Sequence, residues 1–185
     1  MATVVWLVII AAVAALVLLY NGLVHLQNRV RNGWQQIDVQ LKRRHDLIPN
    51  LVDTVKGAMQ FERDTLERVM AARARAVAAS GVQQTAAAEA ALSQSLGRLL
   101  AVMENYPVLR ANENILQLQE ELTTTENQIA FARQFYNDTV MQFNTRQQVV
   151  PANLIANFFG FAPAEYFRAD DADRATPGVD LSLTR

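Results

Sequence analysis

Among the side chains able to do acid–base or metal chemistry, those that stand out are His25 and His45, Asp38 and Asp46, a run holding Glu120, Glu121 and Glu126, and arginines such as Arg133. An enzyme would have to assemble its site from Asp38, His45, Asp46 and an arginine such as Arg133. The di-metal sites of helical bundles use Glu-x-x-His pairs, which put two ligands on one helical face, and no such pair occurs here. His25 and His45 on one helix would lie about 30 Å apart, too far to share a metal. Zinc-protease helix motifs, phosphate-cradling glycine loops and nucleophile elbows are absent from the sequence, and with no cysteine there is no disulfide, thiolate site or cysteine nucleophile. Asn137-Asp138-Thr139 matches a glycosylation acceptor but sits within a helical pattern, and the glutamates read as a solvated face. The expectation is a protein that is not an enzyme and has no cofactor or metal.

The elements that position these groups begin in a membrane. From Val4 to Leu19 every residue is apolar, and helix-compatible spacing continues through Tyr20, Leu23, Leu26, Val30 and Trp34 with no proline until Pro49. As a helix, Ala2 to Tyr20 would measure about 28 Å, close to the ~30 Å of hydrocarbon in a bilayer. Trp6 and Tyr20 bracket it at interfacial positions. A cleaved signal peptide competes with this reading, but residues 1–5 carry no Lys or Arg, and no small-residue cleavage site precedes a polar start. Residues 1–24 therefore read as a transmembrane signal anchor. The nearer basic flank is C-terminal, Arg29 and Arg31, so the positive-inside rule puts the N-terminus outside and the rest of the chain in the cytoplasm. Arg29 and Arg31 also lie close enough to meet anionic headgroups.

Beyond the anchor the chain reads as all helical. Helix one is expected to end near Arg44, with Lys42-Arg43-Arg44 complementing its negative end, and Asp46 to cap a second helix that holds Pro49 in its first turn. Ile48, Val52, Val55, Met59, Leu66 and Val69 would form one face of that helix, and Ser80-Gly81 a turn. Helix three carries Leu92, Leu96, Leu99 and Met103 and stops before Pro107. Helix four, capped by Asn112, has the most regular seam: Ile115, Leu118, Leu122, Thr125, Ile129, Ala132 and Tyr136. The expected architecture is an anchor helix continuous with a long antiparallel up-and-down bundle over 25–150, with a coiled-coil hairpin braced by helix three as the alternative. Residues 151–168 form an aromatic-rich short helical segment, and 169–185 a flexible polar tail. One conflict stands: helix four, about 54 Å long, exceeds the post-membrane part of helix one. Helix four would have to break early, the bundle tilt, or protein sheathe part of the apolar run.

Two surfaces stand out. Opposite the apolar stripe of helix one, Asn21, His25, Asn28, Asn32 and Gln35 form a stripe that is polar but uncharged, read either as wet surface or as amides that hydrogen-bond an adjacent helix. Phe131 and Phe135 project away from the helix-four seam, so a second bundle neighbour or a second subunit must cover them. Phe158, Phe159 and Phe161 would arrive at the membrane-proximal end, either closing the bundle's base or lying in the headgroup layer. The basic excess of residues 21–60 is small, which argues against nucleic acid as a partner.

The segment from Trp34-Gln35-Gln36-Ile37-Asp38 through Lys42-Arg43-Arg44-His45-Asp46-Leu47-Ile48-Pro49-Asn50-Leu51 resembles the signature of the LemA family of bacterial membrane proteins. Tyr106-Pro107, Ala111-Asn112-Glu113-Asn114, Glu126 through Asn137, and Asn153-Leu154-Ile155-Ala156 with Phe158 to Phe161 resemble its later blocks. The resemblance covers roughly residues 18 to 167 and leaves the tail outside. It implies an N-terminal anchor in the bacterial inner membrane, a cytoplasmic antiparallel bundle and no catalytic residues, and one branch of the family is linked to magnetosome membranes. The chain departs from the family pattern at Gln60-Phe61-Glu62 and at Val150-Pro151, and the first departure speaks against a shared metal or proton site there. The functional expectation is a self-associating scaffold that organises or shapes membrane. Its partners would be the lipid bilayer and copies of itself, and the alternative is a monomeric adaptor for another membrane protein such as a protease or sensor.

Overall fold

The computed structural model describes residues 1–59 and 61–168. Six helices occur among them and no strand: α1 Ala2–Lys56, α2 Arg63–Ala78, α3 Val82–Met103, α4 Pro107–Arg110, α5 Glu113–Gln148 and α6 Ala152–Phe158. The all-α expectation holds. The tail expected over 169–185 lies outside the described residues.

The expected break after Arg44 does not occur. α1 is one helix of 55 residues with Pro49 inside it, and Asp46 is an exposed mid-helix residue instead of a cap. A proline within a helix lacks the N–H that would bond the carbonyl four residues back, here that of His45. The Arg73 Nε–H of α2 donates to that carbonyl at 2.6 Å, so the freed acceptor is satisfied from a neighbouring helix. The buried stripe runs past Pro49 without a break, from Ile48 to Leu51, Val52 and Val55. The helix reverses only after Lys56, in a turn that buries Met59.

This continuity removes the length conflict. From Gly22 to Lys56 α1 spans about 52 Å, against about 54 Å for α5. Neither a broken helix nor a tilted bundle is needed.

α1 and α5 form an antiparallel pair along nearly their whole shared length. Arg44 of α1 reaches Glu126 of α5, and Arg29 reaches Gln142. Between these levels Gly33 is buried so closely against α5 that a Cβ on it would sit 3.3 Å from the Cα of Tyr136. Only glycine lets the two backbones approach this far without the helices giving way. Asn112 caps α5 as expected, its side chain accepting from the Asn114 and Ile115 amides, and Ile115, Leu122, Thr125, Ile129, Ala132 and Tyr136 of the seam are buried.

The other two long helices cover only half of this pair. α2 has 16 residues and α3 has 22, and they turn back on each other through Gly81, whose φ of 79° suits glycine. Their apolar faces meet Ile48, Leu51 and Val55 of α1 and Ile115 and Leu122 of α5 in a membrane-distal core. The up-down-up-down order is as expected, but the architecture lies closer to a long hairpin braced at its far half than to four equal helices.

Nearer the membrane a second core, around Ile37, Leu41, Ile129, Val140 and Phe143, is closed mainly by residues 161–168, which run in extended form along α5. Asn137 and Asn144 hold this strap. The Asn144 amide both donates to the Ala164 carbonyl and accepts from its N–H at 2.9 Å, and Asn137 does the same for Phe167 at 3.0 and 2.9 Å. Seven residues of helix rise about 10.5 Å and three extended residues about 10 Å, so the two side chains match the strap's repeat. Tyr136 donates its hydroxyl to the Glu165 carbonyl at 2.8 Å, and its pKa is raised, first by burial and then by the Glu165 charge. The phenol therefore stays a donor.

Candidate functional site

Two charged side chains lie on apolar stripes. Arg44 follows Ile37 and Leu41 and precedes Ile48 on α1, while Glu89 stands between Ala86 and Leu92 on α3. Both are buried, and they meet. Arg44 Nη1 lies 3.4 Å from Glu89 Oε2 and 3.1 Å from Glu126 Oε2, and Nη2 donates to Ser93 Oγ at 2.7 Å. His45 Nε2 lies 2.6 Å from the second oxygen of Glu89. One carboxylate thus holds an arginine and a histidine from consecutive positions of α1. Arg133 completes the surroundings: burial lowers its pKa, Glu126 opposes that, and its guanidinium lies 4.5 Å from the centre of the Phe167 ring.

Such a cluster resembles catalytic machinery in composition, but its central carboxylate is shielded: Arg44, Ser93 and Glu126 border the cleft between α3 and α5, and Glu89 does not. Glu89 is only 3% exposed, and each of its oxygens is already engaged, one by Arg44 and one by His45. Asp38 and Asp46, the carboxylates expected to accompany His45, are exposed and do not join it. Arg44, expected to complement a helix end, is instead the centre of this layer between the two cores. Among the described residues no group of three or more His, Asp or Glu side chains could hold a metal. Asn137 of the glycosylation-acceptor sequence spends its amide on Phe167, and Thr139 donates its hydroxyl to the Phe135 carbonyl.

The two surfaces singled out in the sequence lie side by side. Asn32 and Gln35 of α1 and Phe131 and Phe135 of α5 line one groove of about 810 Å³, with Gln36 and Val39 along its edge. Phe131 is 73% exposed, and no other helix of the described residues covers it. Asn21, His25 and Asn28 continue the exposed polar face of α1 toward the membrane. A second groove, of about 690 Å³, separates α3 from α5 and has Leu96, Gly97 and Leu122 among its lining.

At the base, Tyr20 packs against Phe159 and Phe161, with ring centres 4.8 and 5.8 Å apart. Phe161 is half-buried and reaches Phe143, so it belongs to the closing of the bundle, whereas Phe158 and Phe159 are exposed. Trp6 lies on the bare apolar run, and Arg31 faces out beside Arg29. The run itself contributes nothing to the core before Leu19. A long uncovered apolar helix that continues into a water-facing helical hairpin defines a membrane-anchored helical protein.

Comparison with known proteins narrows that class. The model of the LemA family matches residues 33–181, most of the chain, and the chain belongs to this family. The match begins at Gly33, later than the motifs indicated, and runs beyond Phe167 into the tail. The chain is 25% identical to magnetosome protein MamQ 2 of Paramagnetospirillum magneticum over 95% of its length and 75% of that protein's. It is 26% identical to protein LemA of Metamycoplasma hominis over 89% of its length and 75% of that protein's. Magnetosome protein MamQ of Magnetospirillum gryphiswaldense is 23% identical over 95% and 75%.

Proposed function

We propose that the protein is a non-enzymatic scaffold that self-associates in the plane of the membrane through the groove between α1 and α5. The observation that carries this reading is the shared groove: uncharged amides of α1 and the exposed rings of Phe131 and Phe135 occupy one continuous face. An exposed phenylalanine pair rimmed by hydrogen-bonding amides is the composition of an interface centre and its surround. The face runs along the side of the hairpin. Anchored copies share one orientation and a confined layer, which raises their effective concentration for lateral contacts of this kind.

Crosslinking and mass measurement of the full chain in mild detergent test the reading. The wild type should form a discrete assembly, and Phe131→Asp with Phe135→Asp should leave monomers of unchanged helix content, because a buried unpaired carboxylate costs several kcal/mol. A strictly monomeric wild type overturns it. A stoichiometric foreign protein retained by that monomer, and released by the same substitutions, would instead make the molecule an adaptor.

The scaffold is further proposed to sit at the bacterial inner membrane with its bundle in the cytoplasm, supported by Arg29 and Arg31 on the bundle side of the anchor. Protease added to intact cells, with the outer barrier opened, should leave the bundle uncut. Cleavage within α2 or α3 under those conditions reverses the orientation.

A further inference from the structure

α6 is apolar on two sides. Ala152, Ile155 and Ala156 face inward, where Ile155 and Ala156 pack on Leu23 of α1. On the outside, Leu154 is 67% exposed, Phe158 83% and Phe159 57%. No Asp, Glu, Lys or Arg occurs between Arg146 and Glu165, nor anywhere before Arg29. The uncharged parts of the two ends of the hairpin thus coincide.

Their height is set by the helix register. Arg44 lies level with Glu126, Gly33 with Tyr136 and Arg29 with Gln142, so α5 ends level with the first residues after Tyr20. α6 follows at once, and Phe159 packs against Tyr20 itself. No spacer separates α6 from the apolar run. From Ala2 to Leu19 that run is about 27 Å long, slightly short of the ~30 Å of hydrocarbon, a mismatch that draws the base of the bundle toward the bilayer.

We infer that α6 is a membrane foot: Leu154, Phe158 and Phe159 lie in the interfacial layer of the same bilayer that α1 crosses, and seat the bundle directly on it. Lipid is the occupant because the patch is continuous with the anchor and shares its lack of charge. Exposed arginines, Arg29 and Arg31 on α1 and Arg146 on α5, stand just above it, placed to meet phosphate groups. The inference is independent of whether the α1–α5 groove binds another copy.

The chain has no native cysteine, so single-cysteine variants can carry a nitroxide. The full chain would be reconstituted in phosphatidylcholine vesicles, with Leu16→Cys as the lipid reference and Val77→Cys, on exposed α2, as the water reference. At Phe158→Cys, and independently at Leu154→Cys, the ratio of collisions with oxygen to collisions with a water-soluble nickel complex should be severalfold above that at Val77 and approach that at Leu16. A ratio equal to Val77's at both sites overturns the inference. So does protection from both reagents with spectral broadening that disappears on dilution with unlabelled protein, since a second copy would then be the occupant.

Discussion

Glu89→Ala should cost about 3–5 kcal/mol of folding stability, because it leaves the Arg44 guanidinium buried without its main counter-charge. Arg44 is 4% exposed, and Glu126, itself half in solvent, compensates weakly. Thermal unfolding of the full chain in detergent, followed by circular dichroism, reads this as a midpoint lower by roughly 6–20 °C for a chain of this size. Removing both charges is a different experiment. Arg44→Met with Glu89→Leu should recover most of the loss, since a buried ion pair often stabilises no more than apolar side chains of similar volume. A Glu89→Ala variant that melts within a degree or two of wild type would show that Arg44 is not held by this pair.

The second large effect is expected at Arg73→Met. Its guanidinium donates to the His45 carbonyl that Pro49 leaves without an intrahelical partner, and a hydrogen bond from a charged donor contributes about 1.5–3 kcal/mol. Methionine keeps the aliphatic stem and removes the donor. In a Pro49→Ala background the residue-49 amide can bond the same carbonyl, so Arg73→Met should then cost less than about 1 kcal/mol. The difference between the two backgrounds, measured by denaturant unfolding, is the coupling between a proline and an arginine on different helices. Equal costs in both backgrounds would refute the account of why α1 runs through Pro49.

These two sites mark where local reasoning stops. A proline predicts a helix boundary because its own helix cannot repair the missing bond. Here the repair comes from α2, 28 residues along the chain, and no local window contains it. Glu89 sits in an alanine-rich stretch that says little about partners, yet its place on an apolar stripe was a readable signal, as was that of Arg44. Two opposite charges at core positions of different helices must find each other or leave the fold unstable. The strap was out of reach for another reason: its bonds run from Asn137 and Asn144 to backbone groups, and backbone carries no sequence signature.

Much else was legible. The bare apolar run, the buried seam of α5 and its Asn112 cap follow from periodicity and from the chemistry of helix ends, which act over a few residues. That Phe131 and Phe135 lie off that seam followed from their angle to it, while their being left exposed instead of covered by a second bundle neighbour did not. Their junction with Asn32 and Gln35 did not, because it depends on the register of α1 against α5, set by the close approach at Gly33 and by the ion pair at Arg44.

By itself, then, the amino-acid order determined an anchored, all-helical protein of the LemA family with a long, regular hairpin partner for its first helix, since hydrophobic period and length act along the chain. Tertiary structure alone decided that α1 passes through Pro49, that Arg44, His45 and Glu89 meet in one buried layer, and that residues 161–168 strap α5 through Asn137 and Asn144. Each of those depends on a contact between residues far apart in sequence, whose free energy exists only once the helices are packed.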